Sequence, residues 1–227
     1  MNQTISYQTA RRLFFRRVYA FMALALAVTG VTTFLAVKFF APVLERLIFS
    51  SLVGIIVIVL AQFALIFIIS RAVSKNSPIV LFWLMLFSIL EGIILMPIMY
   101  YTSISTIILA LLSASALFIV MAIIGLVTKI DVSRWGIILF GTTLALIVVS
   151  LLQIFFFHST MFQLIISWVT VIIFSFWTIY DNRVLSNQFD SAQSYEGLYS
   201  LAVSGALSLY LDFINLFLSF IQIFDNR

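Results

Sequence analysis

Apolar residues fall into seven long runs along this chain, and the polar residues between them are few and clustered. A helix needs about 20 predominantly apolar residues to cross the hydrocarbon of a bilayer. Segments 18–40, 47–70, 79–100, 104–128, 136–157, 161–180 and 198–224 meet that length. The connections are mostly short, so consecutive helices are expected to run antiparallel. The pattern predicts an all-α integral membrane protein with seven transmembrane helices, forming a single transmembrane domain over residues 1–227. The arginine-rich stretch 8–17 predicts a short helix on the membrane surface. The run that follows it is too long for the apolar core of a signal peptide and reads as a retained first span. Residues 181–197 contain Asp181, Asn182, Arg183, Asn187, Gln188, Asp190 and Glu196, and predict a polar loop between the last two spans.

Composition sharpens this picture. Apolar residues make up 64% of the 227 residues and charged residues 9%, against about 45–50% and about 25% in soluble proteins. So little charge cannot cover a water-exposed surface, and the lipid bilayer is the expected partner. The chain has no cysteine, which excludes disulfides, thiolate chemistry and Cys-based metal sites. The net charge of +4 does not point to nucleic acid, because the basic residues sit in short clusters between apolar runs. With the N-terminus in the cytoplasm, Arg11, Arg12, Arg16, Arg17, Arg71, Lys75, Lys129, Arg134 and Arg183 lie inside. Only Lys38, Arg46 and Arg227 lie outside. Positive charge concentrates on cytoplasmic loops, so the N-terminus is expected inside and the C-terminus outside.

Three acids lie where charge is expensive: Glu91 in the third span, Asp181 at the end of the sixth and Asp212 deep in the seventh. An ionised group at a helix centre costs about 2.5–3.5 kcal/mol to insert. In the seventh span Ser200, Ser204, Ser208, Asp212, Asn215, Ser219 and Gln222 recur every three or four residues, which places them on one helical face. Serines alone suit a helix–helix seam. With an aspartate and an asparagine in the same stripe, Ser204, Ser208, Asn215 and Ser219 read as a buried polar path. The sixth span carries a weaker stripe of Gln163, Ser167, Thr170, Thr178 and Asp181, interrupted at Phe174. Pro97 predicts a kink in the third span. Arg71 reads as a snorkelling topology charge, and His158 as a solvated residue at an outer turn.

The run Ala206–Leu207–Ser208–Leu209–Tyr210–Leu211–Asp212–Phe213–Ile214–Asn215–Leu216–Phe217 resembles the last-helix signature of the Bax inhibitor motif family of membrane proteins. The likeness is greatest to the bacterial calcium-leak members. Ile179–Tyr180–Asp181 is similar to a second motif, and Glu91–Gly92–Ile93 with Met96–Pro97–Ile98 to a weaker third. The resemblance implies six helices wrapped around a central seventh. It also implies a hydrogen-bonded, pH-sensing pair of aspartates, which map to Asp181 and Asp212. Bacterial relatives pass calcium down its gradient, whereas animal and plant relatives affect the calcium content of the endoplasmic reticulum and sensitivity to cell death. Two features depart from the family. Asp181 and Asp212 stand 31 residues apart, farther than in the bacterial relatives. An acid expected in the second span is also missing, with Gln62 the nearest polar substitute.

Two carboxylates held close together do not both ionise readily, so the pair is expected to share one proton over an intermediate pH range. Its loss would loosen the contact between the last two spans and attract a cation. Asp181, Asp212 and Glu91 are the expected transient calcium ligands, with Asn215, Ser208 and water completing the shell. Calcium is then a permeating ion, with no resident cofactor and no catalytic residue. An intramembrane aspartyl protease would also use two aspartates, but the Gly-x-Gly-Asp and Pro-Ala-Leu motifs of those enzymes are absent. A proton-coupled secondary transporter is a further alternative, although no inverted repeat supports it. So is a regulatory protein that acts through a protein partner bound at 182–197 or at the N-terminus. Short loops point to a bacterial plasma membrane.

Overall fold

The computed structural model describes residues 7–128, 130–156, 159–191 and 197–225. Lys129, His158, Glu196 and Arg227, to which the sequence assigns topological or loop roles, lie outside the described residues. Every regular element among the described residues is helical. Eight main helices follow in order: α1 (Tyr7–Leu35), α2 (Leu52–Ser74), α3 (Val80–Ile94), α4 (Met96–Tyr101), α5 (Ile104–Val127), α6 (Trp135–Phe156), α7 (Thr160–Ser191) and α8 (Leu198–Asp225). Six helical stretches of the described chain are long and apolar enough to cross a bilayer: Tyr7–Phe49, Leu52–Ser74, Ile104–Val127, Trp135–Gln153, Thr160–Ser191 and Leu198–Asp225.

The expected third span, 79–100, is divided. Pro97 has no N–H to offer the Ile93 carbonyl, and its ring crowds that carbonyl. The helix therefore stops at Ile94 and restarts at Met96. Backbone bonds from Leu95 N–H to Glu91 O (2.9 Å) and from Met99 N–H to Leu95 O (3.1 Å) carry the chain through the kink. The 15 residues of α3 rise only about 22 Å, short of the roughly 30 Å hydrocarbon core. The described residues thus hold six full-length candidates and one short apolar helix, where the hydropathy pattern predicts seven spans, and the kink expected at Pro97 is present.

Two further elements differ from expectation. The surface helix predicted at 8–17 is the opening of α1. Its buried face, Phe14, Val18, Met22, Ala25, Thr29 and Thr33, continues into the span without a break. No proline, glycine or cap interrupts 8–29, so nothing stops the helix where the arginines end. The predicted loop 181–197 is helical as far as Ser191. Hydropathy falls after Tyr180, but Asn182, Leu185, Ser186 and Phe189 keep a buried helical stripe. A helix can leave an apolar environment without ending.

The chain divides into two compact units. The first comprises Met1–Tyr101 and Ser191–Tyr210. In it α1 packs on α3, and α3 packs on α2. Gly92 permits the first contact: a Cβ there would fall 2.7 Å from the Thr29 carbonyl oxygen and from the Thr32 side chain. Small residues at such points let membrane helices approach closely. Beyond Leu35 the chain widens into π-helical turns at Ala36–Phe40 and Glu45–Phe49 around Ala41–Leu44. Ala36, Ala41 and Met96 form a small core there, and the Tyr101 hydroxyl donates to Glu45 (2.8 Å). Ser51 caps α2 by accepting from the Gly54 N–H. The turn after α2 places Asn76 at φ 49°, a left-handed conformation that asparagine tolerates better than most residues.

The second unit comprises Thr102–Asp190 and Leu211–Arg227. Gly125 of α5 meets α7, where a Cβ would fall 2.6 Å from the Ile179 carbonyl oxygen and 2.9 Å from the Asn182 Cβ. The Trp177 indole N–H of α7 donates to the Thr143 hydroxyl of α6 (2.9 Å). Phe118 of α5 meets Phe213 of α8 edge to face, with centroids 5.7 Å apart. In the turn between α5 and α6, Asp131 accepts from the Ser133 backbone N–H (2.9 Å). That bond holds the Asp131 carboxyl below the usual carboxylate range.

Candidate functional site

Within the second unit, α7 and the later part of α8 bring together the two acids that the sequence singles out. Asp212 is 3% exposed. It is hydrogen-bonded to the Thr178 side chain, and Asp181 is near enough for its charge to act on it. The second Asp212 oxygen, Oδ2, is buried without a hydrogen-bond partner among the described residues. Asp181 itself is half-buried and has interactions of its own. Helical spacing explains the geometry, since Thr178 and Asp181 are one turn apart on α7 and present adjacent groups to α8.

The wall behind this pair is tightly built. Asn182 is fully buried and donates its amide to the Thr178 carbonyl (2.8 Å). Beside it the Tyr180 hydroxyl closes on Gly136, where an added Cβ would fall 2.5 Å from it. Farther along the same two helices, Ser167 of α7 donates to the Gln222 side-chain carbonyl of α8 (2.7 Å). The α7–α8 seam therefore carries one polar contact at Thr178, Asp181 and Asp212 and another at Ser167 and Gln222.

The polar stripe of α8 is largely enclosed. Ser200, Asp212 and Ser219 are buried, Ser204, Ser208 and Asn215 are half-buried, and Gln222 is exposed. Two members turn their hydrogens back onto their own helix, Asn215 to the Leu211 carbonyl (2.8 Å) and Ser219 to the Asn215 carbonyl (2.7 Å). Of the apolar stretch of α8, 67% is buried, against 6–28% for the other five candidate spans. It is the most enclosed of the six.

Glu91 sits in the first unit and not in the second. It is buried, and the Gln62 side-chain amide donates to its Oε2. The polar substitute in the second span and the acid of the third are thus direct partners. The same unit holds a network that the sequence does not flag. The Thr29 hydroxyl lies 2.7 Å from the Tyr210 hydroxyl and 3.0 Å from the Ser88 carbonyl oxygen. Thr33 donates to the Gly92 carbonyl (2.9 Å). Tyr210 is fully buried, with its ring edge to face with Phe87. Among the described residues no group of three or more His, Cys, Asp or Glu could hold a metal ion.

The buried stripe of α7 shares Ser167 and Thr178 with the one the sequence shows but runs through Val171, Ser175 and Asn182 in place of Gln163, Thr170 and Asp181. Ser167, Val171, Ser175, Thr178 and Asn182 are all buried and follow at spacings of 4, 4, 3 and 4. Tracing the stripe through Phe174 loses it. Starting from Ser175 recovers it, because its spacing matches the 3.6-residue period.

These features define a polytopic helical membrane protein with two acids, Glu91 and Asp212, buried among its helices. Residues 11–227 match the family described as inhibitor of apoptosis-promoting Bax1, and the chain belongs to this Bax inhibitor-like family. It is 34% identical over 218 residues to an uncharacterised membrane protein of Streptococcus pyogenes serotype M1, covering 94% of this chain and 93% of that one. It is also 34% identical to the inner membrane protein YbhL of Escherichia coli K12, covering 93% of this chain and 90% of that one. An uncharacterised protein of Deinococcus radiodurans is 31% identical, over 95% of this chain and 91% of its own length.

Proposed function

We propose that this protein is a pH-sensitive calcium leak channel of a bacterial plasma membrane, gated by the Asp181–Asp212 pair. In this reading α8 is the central helix of the bundle, the N-terminus is cytoplasmic and the C-terminus is outside. The observation that carries the proposal is the enclosed contact of Asp212 with Thr178 and with the charge of Asp181. While the pair holds one proton, it ties α7 to α8 and the path is shut. When the proton leaves, two like charges face each other across the seam. At an effective dielectric constant near 20, two unit charges ~4 Å apart repel by ~4 kcal/mol. A hydrogen bond between membrane helices averages only ~0.6 kcal/mol. Repulsion wins, the seam loosens, and the paired charges attract a cation. The switch is thus an electrostatic event acting on a bistable helix contact.

The test is calcium flux into liposomes holding the purified protein, measured against pH. Wild type is expected to pass calcium with flux that rises as the pair loses its proton. Asp181→Asn and Asp212→Asn each remove one carboxylate and are expected to flatten that dependence. Flux and pH dependence unchanged in both variants would overturn the proposal. Saturable counter-transport of protons and calcium would replace it with the transporter alternative.

A further inference from the structure

On α2, Ala61, Ala64 and Ile68 recur at spacings of 3 and 4 and so share one face. On α3, Leu86, Ile89 and Ile93 do the same. The two rows line a groove between these helices, within the first unit. Alanine carries nothing beyond Cβ, so the α2 wall is low, and Ala64, Leu86 and Ile89 stay exposed. The lining side chains are all apolar and offer a polar group no partner. In a bilayer such a groove takes hydrocarbon.

The same face of α2 changes character at its end. Lys75, at the C-cap, follows Ile68 by seven residues, two turns along the same row. Arg71 stands one turn before it at the edge of the row, its guanidinium carbon 5.5 Å from the Phe67 ring centroid. Both cations are exposed. Trp83 lies one turn along α3 from Leu86, edge to face with Phe82 at 5.4 Å, and tryptophan favours the level of the lipid headgroups. Among the described residues of this unit only Glu45 and Glu91 are acidic. Glu45 precedes the opposite end of α2, and Glu91 is buried against Gln62. Neither is placed to neutralise Arg71 or Lys75. The dimensions also fit one leaflet: from Ala61 to Lys75 the helix rises about 21 Å, against about 15 Å for half the hydrocarbon core, which leaves the remainder for a phosphate.

We propose that the α2–α3 groove is a binding site for one anionic glycerophospholipid, whose acyl chain lies between Ala64 and Ile89 and whose phosphate is held by Arg71 and Lys75. Apolar contact holds the chain, and charge selects the headgroup. A zwitterionic lipid fills the groove equally well but brings no net charge to the two cations. The site is independent of the calcium reading, since none of its residues belongs to the aspartate pair.

The test is quenching of Trp83 fluorescence by lipids with brominated acyl chains, in phosphatidylcholine liposomes holding the full chain. The chain has 4 tryptophans, and Trp83→Phe supplies the signal of the others for subtraction. A basic residue at a membrane surface favours an anionic lipid by about fivefold. Brominated phosphatidylglycerol is therefore expected to occupy the site up to about 25-fold more readily than brominated phosphatidylcholine. Arg71→Gln and Lys75→Gln should each lower that preference about fivefold, and Lys75→Arg should keep it. Ala64→Phe fills the groove with the charges intact and should weaken quenching by both lipids. Excess inorganic phosphate should displace the lipid no more than chloride at equal ionic strength. Equal quenching by the two lipids, a preference unchanged in both charge variants, or undiminished quenching in Ala64→Phe would each overturn the proposal. Displacement by phosphate beyond that by chloride would overturn it in favour of a free-phosphate site.

Discussion

At the scale of single residues, a polar group inside an apolar bundle is defined by the partner it finds. Glu91 finds the Gln62 amide. Gln62→Leu keeps the approximate volume and removes the donor, leaving the carboxyl buried with less to bond. The expected loss is about 1–3 kcal/mol, read as lower thermal stability in detergent. Thr29→Val removes the hydroxyl that lies against both the Tyr210 hydroxyl and the Ser88 carbonyl. It leaves the buried Tyr210 hydroxyl without that partner and is expected to lose a similar amount, about 1–3 kcal/mol. Unchanged stability in Gln62→Leu would contradict the assignment of Gln62 as the partner of Glu91. The sequence exposes Glu91, Asp181 and Asp212 because acids are rare in apolar runs, and it names Gln62 as a substitute. It does not show that Gln62 and Glu91 touch. Periodicity reports which residues share a face, but not which face of which helix lies opposite. The Thr29–Tyr210 contact is hidden for the same reason, since 181 residues separate its members.

At the scale of elements, hydropathy locates apolar helices well and helix ends poorly. The spans at 104–128 and 136–157 match α5 (Ile104–Val127) and α6 (Trp135–Phe156) closely. The sixth predicted span stops eleven residues short of Ser191, because polarity marks a change of solvent and not a change of backbone. Polarity alone puts Asn182 in a loop, yet it is helical and buried next to Asp181. The α5–α7 contact behind the pair depends on Gly125. Gly125→Leu would drive a side chain into the Ile179 backbone and Asn182, at a loss of about 1–3 kcal/mol from overpacking. Gly141 of α6 has nothing within 4 Å of an added Cβ, so Gly141→Ala should be neutral or stabilising by about 0.5–1 kcal/mol. Thermal unfolding of both variants in detergent checks the contrast. Equal effects would mean that the α5–α7 approach is not the tight point the geometry indicates.

At the scale of the whole molecule, membrane class and family were legible in composition, run length and the last-helix motif. Nearly the full length of the chain matches the Bax inhibitor-like family. The expected seven spans meet six helices long and apolar enough to cross among the described residues, because run length alone does not register the break at Pro97 between α3 and α4, although the proline itself predicts the kink. The proposed channel places its switch in a few atoms of the α7–α8 seam and its consequence in the permeability of the membrane. The claim that joins the two scales is that one proton, held by Asp181 and Asp212, governs calcium flux. Infrared difference spectroscopy of the reconstituted protein, titrated alongside flux, reads that proton directly. A protonated-carboxyl band is expected to disappear over the same pH range in which calcium flux rises, and to be altered in both Asp181→Asn and Asp212→Asn. A band that titrates in a different pH range from the flux, or that neither substitution alters, would contradict it.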